Sequence, residues 1–293
     1  MIHTLHRLGE SIQFEDAIAS LLLTVNIFAP IEWFLDHIFG LGMDVLADLL
    51  GTPMLGYPYM QRAYLAAVCI ALIGPVVGTF LVHREMAMIS DTLAHTAFAG
   101  VAVGLFLNSV LSLTLSPLLT AFVVAVVTAL LVELLVDYAG AYRDTSLAIV
   151  LTGGFAVGSI LITATDGGIA VGIDAYLFGS LATVSTENVG ILVLMSVIVG
   201  SLVTLAYRPL LYVTFDATAA RAARLNVRLY KRLMVVLTAL VVVSAMQIMG
   251  VILVAAMLVV PVAAAAQVAG SFKQSILLAI LAAEFAAIAG VTL

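Results

Sequence analysis

Long apolar runs divided by short polar breaks fill the chain from Gln61 onward. A helix needs roughly 20 mainly apolar residues to cross the hydrocarbon core of a bilayer. The pattern predicts such spans at about 61–82, 86–109, 113–136, 145–164, 188–207, 233–249, 251–269 and 275–293. A further apolar run, Ala17 to Leu35, carries Asn26, Pro30 and Glu32 and reads better as an interfacial or re-entrant helix than as a ninth span. No segment alternates polar and apolar residues as the strands of a membrane barrel do. The predicted fold class is therefore all-α, a polytopic integral membrane helical bundle of about eight transmembrane helices.

Composition agrees with that pattern. Hydrophobic residues make up 64% of the chain, charged residues only 10%, and the mean hydropathy is +1.24. Water is the wrong solvent for most of such a chain. The one cysteine, Cys69, lies in an apolar run, reads as a small buried thiol, and rules out a disulfide or thiolate cluster within the chain. The first 60 residues show no basic start followed by an apolar core and small-residue cleavage site, so no secretory leader is expected there.

The net charge is −6, but the positions of the charges say more than their sum. If successive spans alternate in direction, one set of loops receives Arg84, Arg143, Arg208, Arg221, Arg224, Arg228, Lys231, Arg232 and Lys273. The other set receives Asp166, Asp174 and Glu187, with Arg7 and Arg62 as the basic exceptions. The positive-inside bias makes the first set cytoplasmic. The expected partner of this surface is membrane lipid, and no nucleic acid is expected.

The longest basic loop runs from Arg208 to Arg232, and within it Phe215 to Leu225 suits a short helix led by an Asp216 cap. One reading is a basic loop that meets anionic lipid. The other is a docking helix for a cytoplasmic protein.

Polar groups inside the spans are few. Asp91 and His95 stand four apart on the second predicted span, so they share one helix face. A carboxylate inside a membrane costs roughly 2.5–3.5 kcal/mol on insertion scales, and such residues usually face a cavity or pathway. Carboxylate oxygen and imidazole nitrogen suit a transient Zn²⁺ or Mn²⁺ site if water or other groups complete the shell. An Asp–His hydrogen bond within a helix contact, or a proton relay, are the other readings of the pair. Gly100 and Gly104 form a small-xxx-small step that favours close helix packing. Glu284 reads as a packing residue, Glu133 and Asp137 as helix-end residues facing headgroups, and Pro261 as a kink that frees the carbonyl of Met257.

These segments together resemble the permease subunit of ABC-type zinc/manganese importers. Ser90-Asp91-Thr-Leu-Ala-His95 through Gly100 is similar to that family's D-x-x-x-H helix. Asp144-Thr145 opening a span, Asp174-Ala-Tyr-Leu-Phe-Gly179-Ser180, and Gln247-Ile-Met-Gly250 through Pro261 follow in the family's order. The resemblance covers about Pro58 to Leu293, which makes 58–293 the permease domain and leaves 1–57 as an N-terminal extension of amphipathic or interfacial helices.

The resemblance implies a homodimeric permease, two cytoplasmic ATP-binding subunits, and an extracytoplasmic metal-binding protein that delivers the ion. Asp91 and His95 match positions associated with metal passage, while Phe215, Asp216, Ala220 and Arg221 match the segment that couples to the ATPase. It implies no permanently bound cofactor, only a transported Zn²⁺ or Mn²⁺ ion. The chain carries no Walker-type phosphate loop, so hydrolysis is expected on another chain and this one is not an enzyme. Departures from the family pattern are Ala217-Thr218-Ala219 in place of Pro, an acidic residue and Leu, and Arg224 where Gly is common. The chain also stops at Gly290-Val-Thr-Leu293, short of a further turn and final helix that members carry.

Two rival functions remain at this level. A permease of the related iron-chelate or cobalamin importers would need a wide cavity without metal ligands, against which stand Asp91 and His95. A proton-driven secondary transporter would need no docking helix, against which stands Phe215 to Leu225. An intramembrane protease lacks a paired-Asp or metalloprotease motif here.

Overall fold

A computed structural model of the chain describes residues 29–111, 116–138, 142–164, 175–179 and 184–292. It divides into two compact units, Met1–Gln61 and Arg62–Leu293. In the first unit, α1 (Ala29–Phe34) runs through a π turn at Leu35–Phe39 into α2 (Gly40–Leu50). Gly51 ends α2 at φ 64, a left-handed conformation that glycine adopts without a Cβ penalty. After a 3₁₀ turn at Pro53–Gly56, Pro58 opens α3 (Pro58–His83), whose first residues belong to this unit. The Gln61 side-chain amide there donates to Asp44 Oδ1 at 3.1 Å. Of the run Ala17 to Leu35, the first part lies outside the described residues.

Among the described residues, 8 helices are long and apolar enough to cross a membrane. After α3 come α4 (Met88–Leu111), α5 (Pro117–Tyr138), α6 (Arg143–Thr163) and α7 (Thr186–Leu205). Two short helices follow, α8 (Tyr207–Phe215) and α9 (Ala217–Ala222), and then α10 (Val227–Met249), α11 (Val251–Val268) and α12 (Phe272–Thr292). These spans fall where hydropathy places them, with one difference. The helix expected from 233 begins at Val227, because Asn226 caps it by accepting from Leu229 N at 3.2 Å. Arg228, Lys231 and Arg232 therefore ride on its first turns and not on a loop. A window that scores only apolar residues stops short of such a charged helix end.

The interior of the bundle is α3, α4 and α10, the helices with the largest buried share of their spans. In lipid, burying leucine against protein gains little over leaving it in acyl chains, so close backbone approach carries more of the association. A Cβ on Gly100 would collide with Ala121 and Val124 of α5, and one on Gly154 of α6 would collide with Thr96 of α4. The expected packing role of the Gly100 and Gly104 step is thus what the bundle shows. On the other side α3 crosses α11 so tightly that a Cβ on Gly78 would overlap the carbonyl of Leu258. Pro261 lies inside α11 and offers no N–H to the carbonyl of Met257, and that oxygen faces Gly74.

Two further glycines meet across the bundle. Gly179, at φ 77, ends a helical turn at 175–178, and Gly250, at φ 81, separates α10 from α11 with no intervening loop. A Cβ on Gly179 would stand 2.5 Å from Ile248 O, and one on Gly250 would stand 2.5 Å from Leu177 O. The two backbones are in direct contact.

Candidate metal path and coupling surface

Asp91 lies in the first turn of α4 and His95 one turn further in. An acid in the first turn is also favoured by the partial positive charge of a helix N-terminus. His95 Nε2 stands 3.4 Å from Asp91 Oδ1, beyond the roughly 2.7–3.2 Å of an N–H···O hydrogen bond. Two atoms that each ligate one tetrahedral ion at about 2.0–2.1 Å stand roughly 3.3–3.4 Å apart. At this spacing the two atoms are close enough to ligate one cation between them.

Exposure points the same way. The Asp91 side chain is 47% exposed and that of His95 20%, so the pair opens outward from the chain's own packing. The inner ring nitrogen, His95 Nδ1, is buried and has no hydrogen-bond partner among the described residues. Phe155 of α6 meets the imidazole edge-on at 5.4 Å and stacks on Phe98 at 5.7 Å, which fixes the ring plane by packing alone. Among the described residues no group of three or more His, Cys, Asp or Glu forms.

Glu133 differs from its expected place among headgroups. Its side chain is 5% exposed, because α5 continues to Tyr138 and Glu133 shares the packed face of Ala121, Ala125 and Ala129. The side chain of Asp137 lies outside the described residues. Glu284 is partly buried on α12, and Cys69 is free and partly buried on α3.

At the end of the bundle that carries the basic residues, Asp216 separates α8 from α9 and caps the latter. Its Oδ1 accepts from Thr218 N at 2.9 Å and Ala219 N at 2.8 Å. Ala220 is fully buried under α9 in a cluster with Val213 and Val227, so it seats the helix from beneath. Arg224 holds φ 61 while Leu225 N donates to Ala220 O at 3.0 Å, the backbone pattern of a Schellman end. That conformation explains why glycine suits this position and why arginine is strained in it. Arg221 stays exposed and, with Leu225, Asn226, Arg228 and Lys231, lines an open cavity of about 470 Å³.

Phe215 connects this surface helix to the spans. Its ring meets His83 of α3 at 6.0 Å and Phe272 of α12 at 5.5 Å, and Phe272 meets His83 and Phe80 at 5.0 Å each. Tyr207 completes the cluster against Phe80 at 6.2 Å. Sequence reasoning singled out Phe215 but missed His83, Phe80, Tyr207 and Phe272. The only available signal was that each aromatic sits at the end of an apolar run next to the basic loops.

Eight apolar spans with a partly exposed carboxylate–imidazole pair and a capped surface helix make this a multi-pass membrane protein, and comparison with known proteins gives its class as permease. Residues 56–293 match the model of the ABC 3 transport family. The manganese transport system membrane protein MntC of Halalkalibacterium halodurans is 32% identical over 240 residues, which is 81% of this chain and 79% of that protein. The manganese import system permease protein ScaB of Streptococcus parasanguinis is 30% identical over 234 residues, covering 80% and 81%. Among solved structures, PsaBC from Streptococcus pneumoniae in complex with Fab superposes with a TM-score of 0.72 at 27% identity, covering 84% of this chain and 85% of that one. The chain belongs to the ABC 3 transport family, and it is a multi-pass permease of the cell membrane.

Proposed function

We propose that this chain forms the translocation path of an ATP-driven importer for a divalent transition metal, Mn²⁺ or Zn²⁺. The observation that carries the reading is the 3.4 Å spacing of His95 Nε2 and Asp91 Oδ1 on an outward-facing helix surface. Relatives named for manganese transport support the cargo class. A mixed oxygen and nitrogen ligand pair binds such ions transiently, as passage requires, because two protein ligands alone hold a metal weakly.

The path is shared between two copies of the chain in this reading, so that Asp91 and His95 of each copy face a common axis. The end that carries Arg221, Arg224 and Arg228 is cytoplasmic. There an ATP-binding subunit docks on Phe215, Asp216 and Arg221, with Ala220 seating the helix, and an extracytoplasmic metal-binding protein delivers the ion at the opposite end. Movement of α9 reaches α3 and α12 through Phe215, Phe272 and His83.

Uptake of radioactive Mn²⁺ and Zn²⁺ by cells expressing the chain with its neighbouring ATPase and binding protein tests the reading. Saturable uptake that needs ATP and is lost in Asp91→Asn supports it. Uptake of iron chelates or cobalamin without uptake of either free ion overturns it.

A further inference from the structure

The segment ahead of the family match carries an apolar face that is exposed among the described residues. From Ala29 to Leu50 the helical run is continuous, and Ile38, Leu41, Val45 and Leu49 recur on it at three- and four-residue steps, all exposed. Leu49 is 82% exposed. Aromatics accompany this stripe. Trp33 is exposed and stacks on His37 at 5.4 Å, while Tyr57 and Tyr59 are exposed and stack at 5.7 Å.

We propose that this run is an interfacial helix, lying along the membrane surface with its apolar stripe in the acyl-chain boundary of the bilayer. The level of the helix is what decides for lipid. Asp44, midway along α2, accepts from Gln61 in the first turn of α3, so α2 lies beside the entry of the first span. At about 1.5 Å per residue, the 26 residues of α3 measure roughly 39 Å against a hydrocarbon core of about 30 Å. The first turn of α3 is therefore at headgroup depth, and α2 is held there with it. Trp and Tyr concentrate at that depth because their rings are apolar and their polar tips wet.

Spanning is excluded by charge. Glu32, Asp36, Asp44 and Asp48 all fall within the run, and each carboxylate would be costly in the hydrocarbon core. The segment also departs from most surface helices, which are rich in Lys and Arg. None occurs between Arg7 and Arg62. Apolar contact, and not attraction to anionic headgroups, holds the helix down, so its depth is independent of salt and of anionic-lipid content. This inference is independent of the cargo and of the ATPase.

Trp33 is the chain's only tryptophan, which makes the test direct. The full chain is reconstituted in phosphatidylcholine vesicles whose lipids are brominated either high on the acyl chain or near its terminal methyl, and iodide is added from the water. High bromines are expected to quench Trp33 at least about twofold more than terminal ones. Iodide is expected to quench little. A second protein, Trp33→Phe with Leu49→Trp, moves the reporter to the other end of the run and is expected to report the same shallow depth. Full iodide access without bromine quenching overturns the proposal, as does a deep position at one end and a shallow one at the other. Bromine quenching that vanishes as the protein-to-lipid ratio rises also overturns it, in favour of a second copy on the stripe. If the double variant does not insert, the Trp33 measurement alone decides.

Discussion

The ring of Phe215 meets Phe272 edge-on with centroids 5.5 Å apart, joining the surface helices to the first turn of α12. Aromatic pairs of this kind are worth about 0.5–1.5 kcal/mol beyond their buried area. A double-mutant cycle of Phe215→Ala and Phe272→Ala, read by thermal unfolding in detergent, is expected to give a coupling energy in that range. Transport should fall further in each variant than the loss of folded protein explains. Additive effects on unfolding would show that the contact carries no energy.

Asp91→Asn and His95→Ala are each expected to lower metal uptake per assembled complex at least about tenfold, since an amide is a poorer ligand for a divalent ion and alanine is none. Neither change adds charge to the membrane, so insertion and ATPase binding should persist. If the pair is only a helix contact, Asp91→Asn keeps its uptake, because the amide can still bond the imidazole.

Asp216→Ala removes the side chain that satisfies Thr218 N and Ala219 N, at a cost of about 0.5–2 kcal/mol to α9. Asn at this position caps nearly as well, so Asp216→Asn should keep the helix. Amide exchange at 217–222 is expected to speed up in the alanine variant only. Arg221→Ala should leave that exchange unchanged while ATP-dependent uptake is lost. Normal uptake in Arg221→Ala would remove it from the coupling surface.

Arg224→Gly relieves a left-handed backbone without touching a packed side chain, and is expected to stabilise the protein by about 1 kcal/mol. A rise in unfolding midpoint with unchanged uptake is the expected outcome. A fall would mean that the arginine side chain contributes more than its backbone strain costs.

The helices were legible because each span is a long apolar run, and Asp216 because a cap precedes its helix in sequence. The Asp91–His95 pair was legible for the same local reason, four residues on one face. Other features depend on contacts distant in sequence. Glu133 reads from the sequence as a residue facing headgroups, whereas in the bundle it lies on the buried face of α5 with Ala121, Ala125 and Ala129. Phe272 gave no sign of meeting Phe215, since nothing local to either residue encodes the meeting of α8 with α12. The start of α10 was hidden because its first turns are basic, and hydropathy counts that as loop.

The contact of Gly179 with Gly250 sets an order on biosynthesis. The turn at 175–178 emerges from the ribosome well before the α10–α11 junction on which it rests. At about 5–20 residues per second the stretch between them takes on the order of several seconds to be made. Throughout that interval the early turn lacks this contact, which forms only when the later hairpin is inserted. The junction of two late spans, α10 and α11, thus locks a segment translated long before it.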